Sequence, residues 1–107
     1  MKLTKKNRKA IEILRTTKEK QCFGYFTEET GGRCYFCAMA VLIKETTPPQ
    51  DLSNCLGPSG NVSAKLQWRF ALTNNGLDNL EILNDEIKLS FAEIADFMES
   101  NPRAFFF

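Results

Sequence analysis

With 107 residues, 43% of them apolar and 25% charged, the chain has the make-up of one soluble globular domain that can bury a modest core without disulfides or metal. The apolar run Ala38 to Ile43 stops at Lys44, far short of the roughly 18 residues that a membrane span needs. Histidine is absent, which excludes the usual Cys-His dyad, the Ser-His-Asp triad and every histidine-based metal site.

A net charge of +1 conceals an asymmetry. Residues 1–20 carry eight lysines and arginines against Glu12 and Glu19, while residues 78–107 carry seven acidic side chains against Lys88 and Arg103. The two ends either attract each other in the fold or face separate partners. A basic first helix can meet nucleic acid, but phosphate repels the acidic half, so nucleic acid is not the expected partner. The opening "MKLTKKNRKAIEIL" lacks the continuous apolar segment of a secretory signal, and a soluble intracellular chain is expected.

In chain order, Asn7 reads as the cap of a first helix over about 7–19, with Ala10, Ile11 and Leu14 on its apolar stripe. In "QCFGYFTEETGGRCYF", aromatic residues flank "TEETGG". That predicts a β-hairpin with a loop of about six residues, which sets Cys22 opposite Cys37 and Tyr25 opposite Cys34. "CAMAVLIKE" reads as a helix over about 36–45, buried on most sides and stopped by Pro48 and Pro49. Residues 46–62, rich in Pro, Gly, Ser and Asn, read as a surface loop within a single domain spanning 1–107.

Ser63 is placed to cap a helix over "AKLQWRFALTN", with Leu66, Phe70 and Leu72 inward, Trp68 near its edge, and Asn74, Asn75 and Gly76 ending it. A short helix is expected at "LDNLEILND". Finally, Ser90 and Glu93 form a capping box for "SFAEIADFMESNP", whose apolar face is Phe91, Ile94, Ala95 and Met98. This helix is expected to pack on the one over Cys37–Ile43. The fold class is α+β: a small, mainly helical domain of four or five short helices with one β-hairpin.

The order of a basic first helix, a glycine-containing hairpin ending in Cys, a short apolar helix, a variable loop and "LNDEIKLSFAEIADFMESNP" resembles a family of small proteins encoded by tailed bacteriophages and prophages. The resemblance spans residues 8–102 and is carried most by Leu83, Asn84, Asp85, Glu86, Ser90, Phe91, Glu93, Ile94, Ala95 and Asp96. The family tends to show adjacent cysteines followed by Leu-Gly where this chain has Tyr35, Phe36, Cys37, Ala38 and Met39, and a glycine-rich turn where it has Ile87 and Lys88. The resemblance implies a phage or mobile-element gene acting in the bacterial cytoplasm, where such accessory proteins bind a host component or blunt a defence system. It implies no activity or cofactor.

Four cysteines invite chemistry. Cys22, Cys34, Cys37 and Cys55 supply enough ligands for zinc, but only Cys34 and Cys37 form a close pair, and zinc ribbons present two. "CYFC" before a helix resembles a redox motif, yet no βαβ unit precedes it. A nucleophilic Cys34 or Cys37 lacks histidine, and a carboxylate such as Asp85 is a poor base for a thiol. Buried packing is the favoured role. Asn84 and Asp85 do not match a calcium loop, and a structural role between helices is favoured over a cation site.

The aromatic residues exceed what a core needs, so Tyr25, Tyr35 and Trp68 are expected on a partner surface. Phe105, Phe106 and Phe107 either fold back or dock into a second subunit. Docking is favoured, with a homodimer possible. The leading functional expectation is a non-enzymatic accessory protein that binds a bacterial host or defence protein through Tyr25, Tyr35, Trp68, Asn84, Asp85 and Phe105 to Phe107, without cofactor. A small-molecule or metal binder and, less favoured, a thiol-dependent enzyme using Cys34 or Cys37 are the alternatives.

Overall fold

Thr4, not Asn7, opens the first helix. The computed structural model describes residues 1–57 and 60–107, with the backbone alone for Arg33 and Cys34. In it α1 (Lys5–Thr16) begins with a reciprocal capping box, Asn7 N donating to Thr4 Oγ1 at 3.2 Å and Thr4 N to Asn7 Oδ1 at 3.1 Å. Asn7 is fully buried, and its Nδ2 donates to the Phe70 carbonyl at 2.9 Å. The residue read as a cap thus clamps α1 to a distant helix end, and the cap moves one turn upstream.

The glycine pair makes a tighter hairpin than expected. Gly31 and Gly32 have φ of 61° and 77°, the conformation that reverses a chain in two residues. Thr27 to Thr30, expected in the loop, therefore form β2 (Thr27–Thr30) against β3 (Arg33–Phe36). The register pairs Thr27 with Phe36 and Glu29 with Cys34, which replaces the expected Tyr25–Cys34 and Cys22–Cys37 pairs. A further strand, β1 (Lys20–Gln21), lies parallel to β3 with Lys20 beside Tyr35, giving the order β1-β3-β2. Residues 22–26 connect β1 to β2 and are tied at both ends: Cys22 N donates to Phe36 O at 3.0 Å, and Cys37 N to Phe26 O at 2.9 Å.

Next comes α2 (Ala38–Lys44), capped by Cys37 and buried along Ala38, Ala40, Val41, Leu42 and Ile43. Residues 46–62 are not wholly loop: a 3-10 turn (Pro49–Asp51) leads into α3 (Leu52–Leu56), whereas Pro58 and Ser59 lie outside the described residues. The following helix, α4 (Val62–Phe70), starts after Asn61, so Ser63 sits inside its first turn and is not its cap. Ala71 ends α4 in a left-handed conformation, φ 57°. Thr73 is then extended and caps α5 (Asn74–Glu81), its Oγ1 accepting from Gly76 N at 2.9 Å. Asn74, Asn75 and Gly76 consequently begin a helix instead of ending one. Because a β-carbon is disfavoured in the left-handed region, Ala71→Gly is expected to raise the unfolding free energy by about 1 kcal/mol in urea titration.

A five-residue π turn (Ile82–Glu86) extends α5, and α6 (Phe91–Ser100) follows with the predicted capping box, Glu93 N to Ser90 Oγ at 3.1 Å and Ser90 N to Glu93 Oε1 at 3.0 Å. Phe91, Ile94, Ala95 and Met98 are buried as expected. The main neighbour of α6 is α1 and not α2. The oppositely charged ends meet here, where Arg15 pairs with Asp96 at 2.8 Å and with Glu99 at 3.5 Å. After a 3-10 turn (Pro102–Ala104) the chain folds back, and Phe105 and Phe106 are buried. The favoured docking of all three terminal phenylalanines is therefore corrected: Phe107 N donates to Ala71 O at 3.0 Å, and of the three rings only that of Phe107 is exposed.

Among the described residues, six α-helices and a three-stranded sheet share one core, an α+β domain that is mainly helical. No helix is long and apolar enough to cross a membrane among these residues.

Candidate functional site

Segments far apart in sequence converge on Asn84. The π turn closes with Ile87 N donating to Ile82 O at 3.0 Å, and it turns the Asn84 side chain into the protein. Asn84 Oδ1 accepts from Ala38 N at 3.0 Å, at the start of α2, and from Gln21 Nε2 at 2.9 Å. Its Nδ2 donates to Cys22 O at 2.9 Å and to Asp85 Oδ1 at 2.7 Å. The same Asp85 oxygen accepts from Gly24 N at 2.8 Å. Both sides of a buried amide are thereby satisfied, and the 22–26 connection is bonded to the π turn at two points.

This frame presents aromatic side chains outward. Phe23, Tyr25 and Phe26 are 40%, 65% and 41% exposed, and Ile82 and Ile87 are 41% and 57% exposed. Single exposed apolar residues are ordinary, but five such residues on two adjoining segments are not. Between them lies a cleft of about 190 Å³ lined by Tyr25, Phe26, Cys37, Met39, Glu81 and Asp85. An adjoining recess is lined by Asp78, Glu81, Ile82, Asp85 and Glu86, so the aromatic face has an acidic border. The Lys88 ammonium lies 5.5 Å from the centre of the Phe23 ring.

The cysteines at this corner are packed thiols. Cys37 Sγ accepts from Ala40 N at 3.4 Å as the cap of α2, and burial pushes its pKa up to about 11. Cys22 Sγ donates to Tyr25 O at 3.3 Å, and burial, then the Glu28 and Asp85 carboxylates, push it up too. Neither is a ready thiolate at neutral pH. Cys55, half-buried on α3, lines a different cleft beside Lys65 and Arg69. The Cys34 side chain lies outside the described residues. Among the described residues no three Cys, Asp or Glu side chains are grouped to hold a metal ion.

Alkylation of the native protein near pH 8 is expected to label Cys55 and spare Cys37 until urea is added, as peptide mass spectrometry would show. Because folding holds the Cys37 thiol neutral, its contribution to stability is complete below about pH 9, where the unfolded thiol titrates. It is lost as the pH rises through about 11.

Of the residues predicted from sequence, the structure brings Tyr25, Asn84 and Asp85 together. Tyr35 is half-buried on β3 against the core. Trp68, 76% exposed, is elsewhere on α4, with Lys6 Nζ 4.3 Å from its ring centre and 2.8 Å from its carbonyl oxygen. Phe105 and Phe106 belong to the core. Phe23 and Phe26 belong to the surplus of aromatic residues that the sequence shows, whereas sequence reasoning leaves out Met39, Glu81, Ile82 and Ile87. A further signal is Ile87, an apolar residue between Glu86 and Lys88. No family model matches the chain, and no curated protein or solved structure does either.

Proposed function

We propose that this chain is a non-enzymatic accessory protein of a phage or mobile element, acting in the bacterial cytoplasm by binding and modulating a host or defence protein. The observation that carries the reading is the exposed trio Phe23, Tyr25 and Phe26 on a backbone held by Asn84 and Asp85. Rigid aromatic side chains supply contact area with little ordering cost on association. The chemistry of the corner supports binding over thiol catalysis, because Cys37 stays protonated. The phage and prophage resemblance supplies the biological setting.

Affinity capture from bacterial lysate tests the reading. The wild-type protein and a Trp68→Ser variant are expected to retain the same protein, and a Phe23→Ser, Tyr25→Ser variant to retain roughly tenfold less. Equal retention by all three would refute the assignment of the face. A wild-type protein that captured nothing yet turned over a substrate would refute the non-enzymatic reading.

A further inference from the structure

We infer that the cleft beside Tyr25 receives a lysine or arginine side chain of the partner protein, an inference that rests on the protein-binding reading above. The walls are apolar where Phe26, Met39 and the protonated Cys37 thiol meet, and acidic at Glu81 and Asp85. Ion pairs among the described residues join Arg15 to Asp96 and Glu99, and Lys44 to Glu19 and Glu45. Asp78, Glu81, Asp85 and Glu86 take part in none of them. Lys88, three residues beyond Asp85, faces the Phe23 ring instead.

An apolar recess whose edge carboxylates form no ion pair among the described residues discriminates among side chains. A carboxylate is repelled. An aliphatic side chain fills the recess but takes water from Glu81 and Asp85 without replacing it. A lysine or arginine satisfies both parts, laying its methylene stem along Phe26 and Met39 and its charge between the two carboxylates. The exposed Tyr25 ring adds a cation–π face. The volume of about 190 Å³ suits one long side chain.

The test uses three capped tripeptides, Ac-Ala-X-Ala-amide, with X as arginine, its neutral isostere citrulline, or norleucine. Amide chemical shifts of the intact protein are followed by NMR. The arginine peptide is expected to shift Gly24, Tyr25, Phe26 and Met39 saturably, the citrulline peptide to bind roughly tenfold more weakly, and about 0.5 M salt to weaken the arginine peptide alone. Glu81→Gln, an exposed change outside the Asn84 frame, is expected to weaken the arginine peptide roughly fivefold without altering citrulline binding. Equal shifts from norleucine and arginine, or no shift from arginine, overturn the inference. Lysate capture separates the two claims. Capture lost in the Phe23→Ser, Tyr25→Ser variant but unchanged in Glu81→Gln overturns the basic side chain and keeps the binding face. Arginine binding without any captured protein does the reverse.

Discussion

Replacing Asn84 with alanine is expected to lower the unfolding free energy by about 3–4 kcal/mol and the melting temperature by about 15 °C. The side chain is buried and joins three segments, so its removal leaves the Ala38 N–H and the Cys22 carbonyl without partners. Each orphaned buried group costs about 1–3 kcal/mol. Gln21 keeps its bond to Leu89 O at 2.8 Å, and that side chain adds little to the loss. Asn84→Asp conserves volume yet is expected to be as damaging, since a second carboxylate would face both the Cys22 carbonyl and Asp85. A loss of under about 1 kcal/mol in either variant would mean that Asn84 does not hold the corner together.

The second large effect is expected at Gly76, on the first turns of α5. A Cβ there would overlap the backbone of Phe105, including its carbonyl. The C-terminal segment is bound to α5 and its approach by Thr73 N to Phe105 O at 2.9 Å, by Asn79 Nδ2 to Ala104 O at 2.7 Å, and by the bridge between Leu72 and Phe106. Gly76→Ala must move one of the two, with a loss of about 3 kcal/mol in urea titration and early proteolytic removal of residues 102–107. Phe107→Ser, at a ring 76% exposed, is expected to stay within about 0.5 kcal/mol of wild type. Wild-type stability and proteolysis of Gly76→Ala would contradict the close packing.

How far sequence reaches depends on whether the deciding contact is local. The α6 start is legible because Ser90 and Glu93 satisfy each other's backbone three residues apart. The α1 start is not. Thr4 and Asn7 are both acceptable caps, and the contact of Asn7 with Phe70, 63 residues away, decides between them. Gly31-Gly32 announces a turn, but a two-residue and a six-residue loop differ only in which strands find partners. Parallel pairing of β1 with β3 is non-local and leaves no periodic trace in two residues. The terminal phenylalanines are legible as apolar, while their burial depends on the space left at Gly76.

The candidate site divides in the same way. Asn84 and Asp85 read as polar groups serving a junction between helices, and the structure places them there. Their partners Cys22, Gly24 and Ala38 lie 46 to 62 residues away, so the framing of the aromatic loop has no sequence signature. Exposure of Phe23 and Phe26 follows from that framing, because residues expected in a hairpin strand stand instead in a connection outside it.

The most direct measurement is residue-resolved hydrogen exchange on the protein alone and bound to the partner it captures. In the free protein the Gly24 and Ala38 amides are expected to exchange slowly, since each donates to a side-chain oxygen of the π turn. On binding, protection should grow over residues 22–26 and 82–88 and stay unchanged on α1 and α4 around Trp68. Free exchange of Gly24 at the unfolded rate, or new protection confined to the Trp68 face, would contradict a preformed aromatic surface as the binding site.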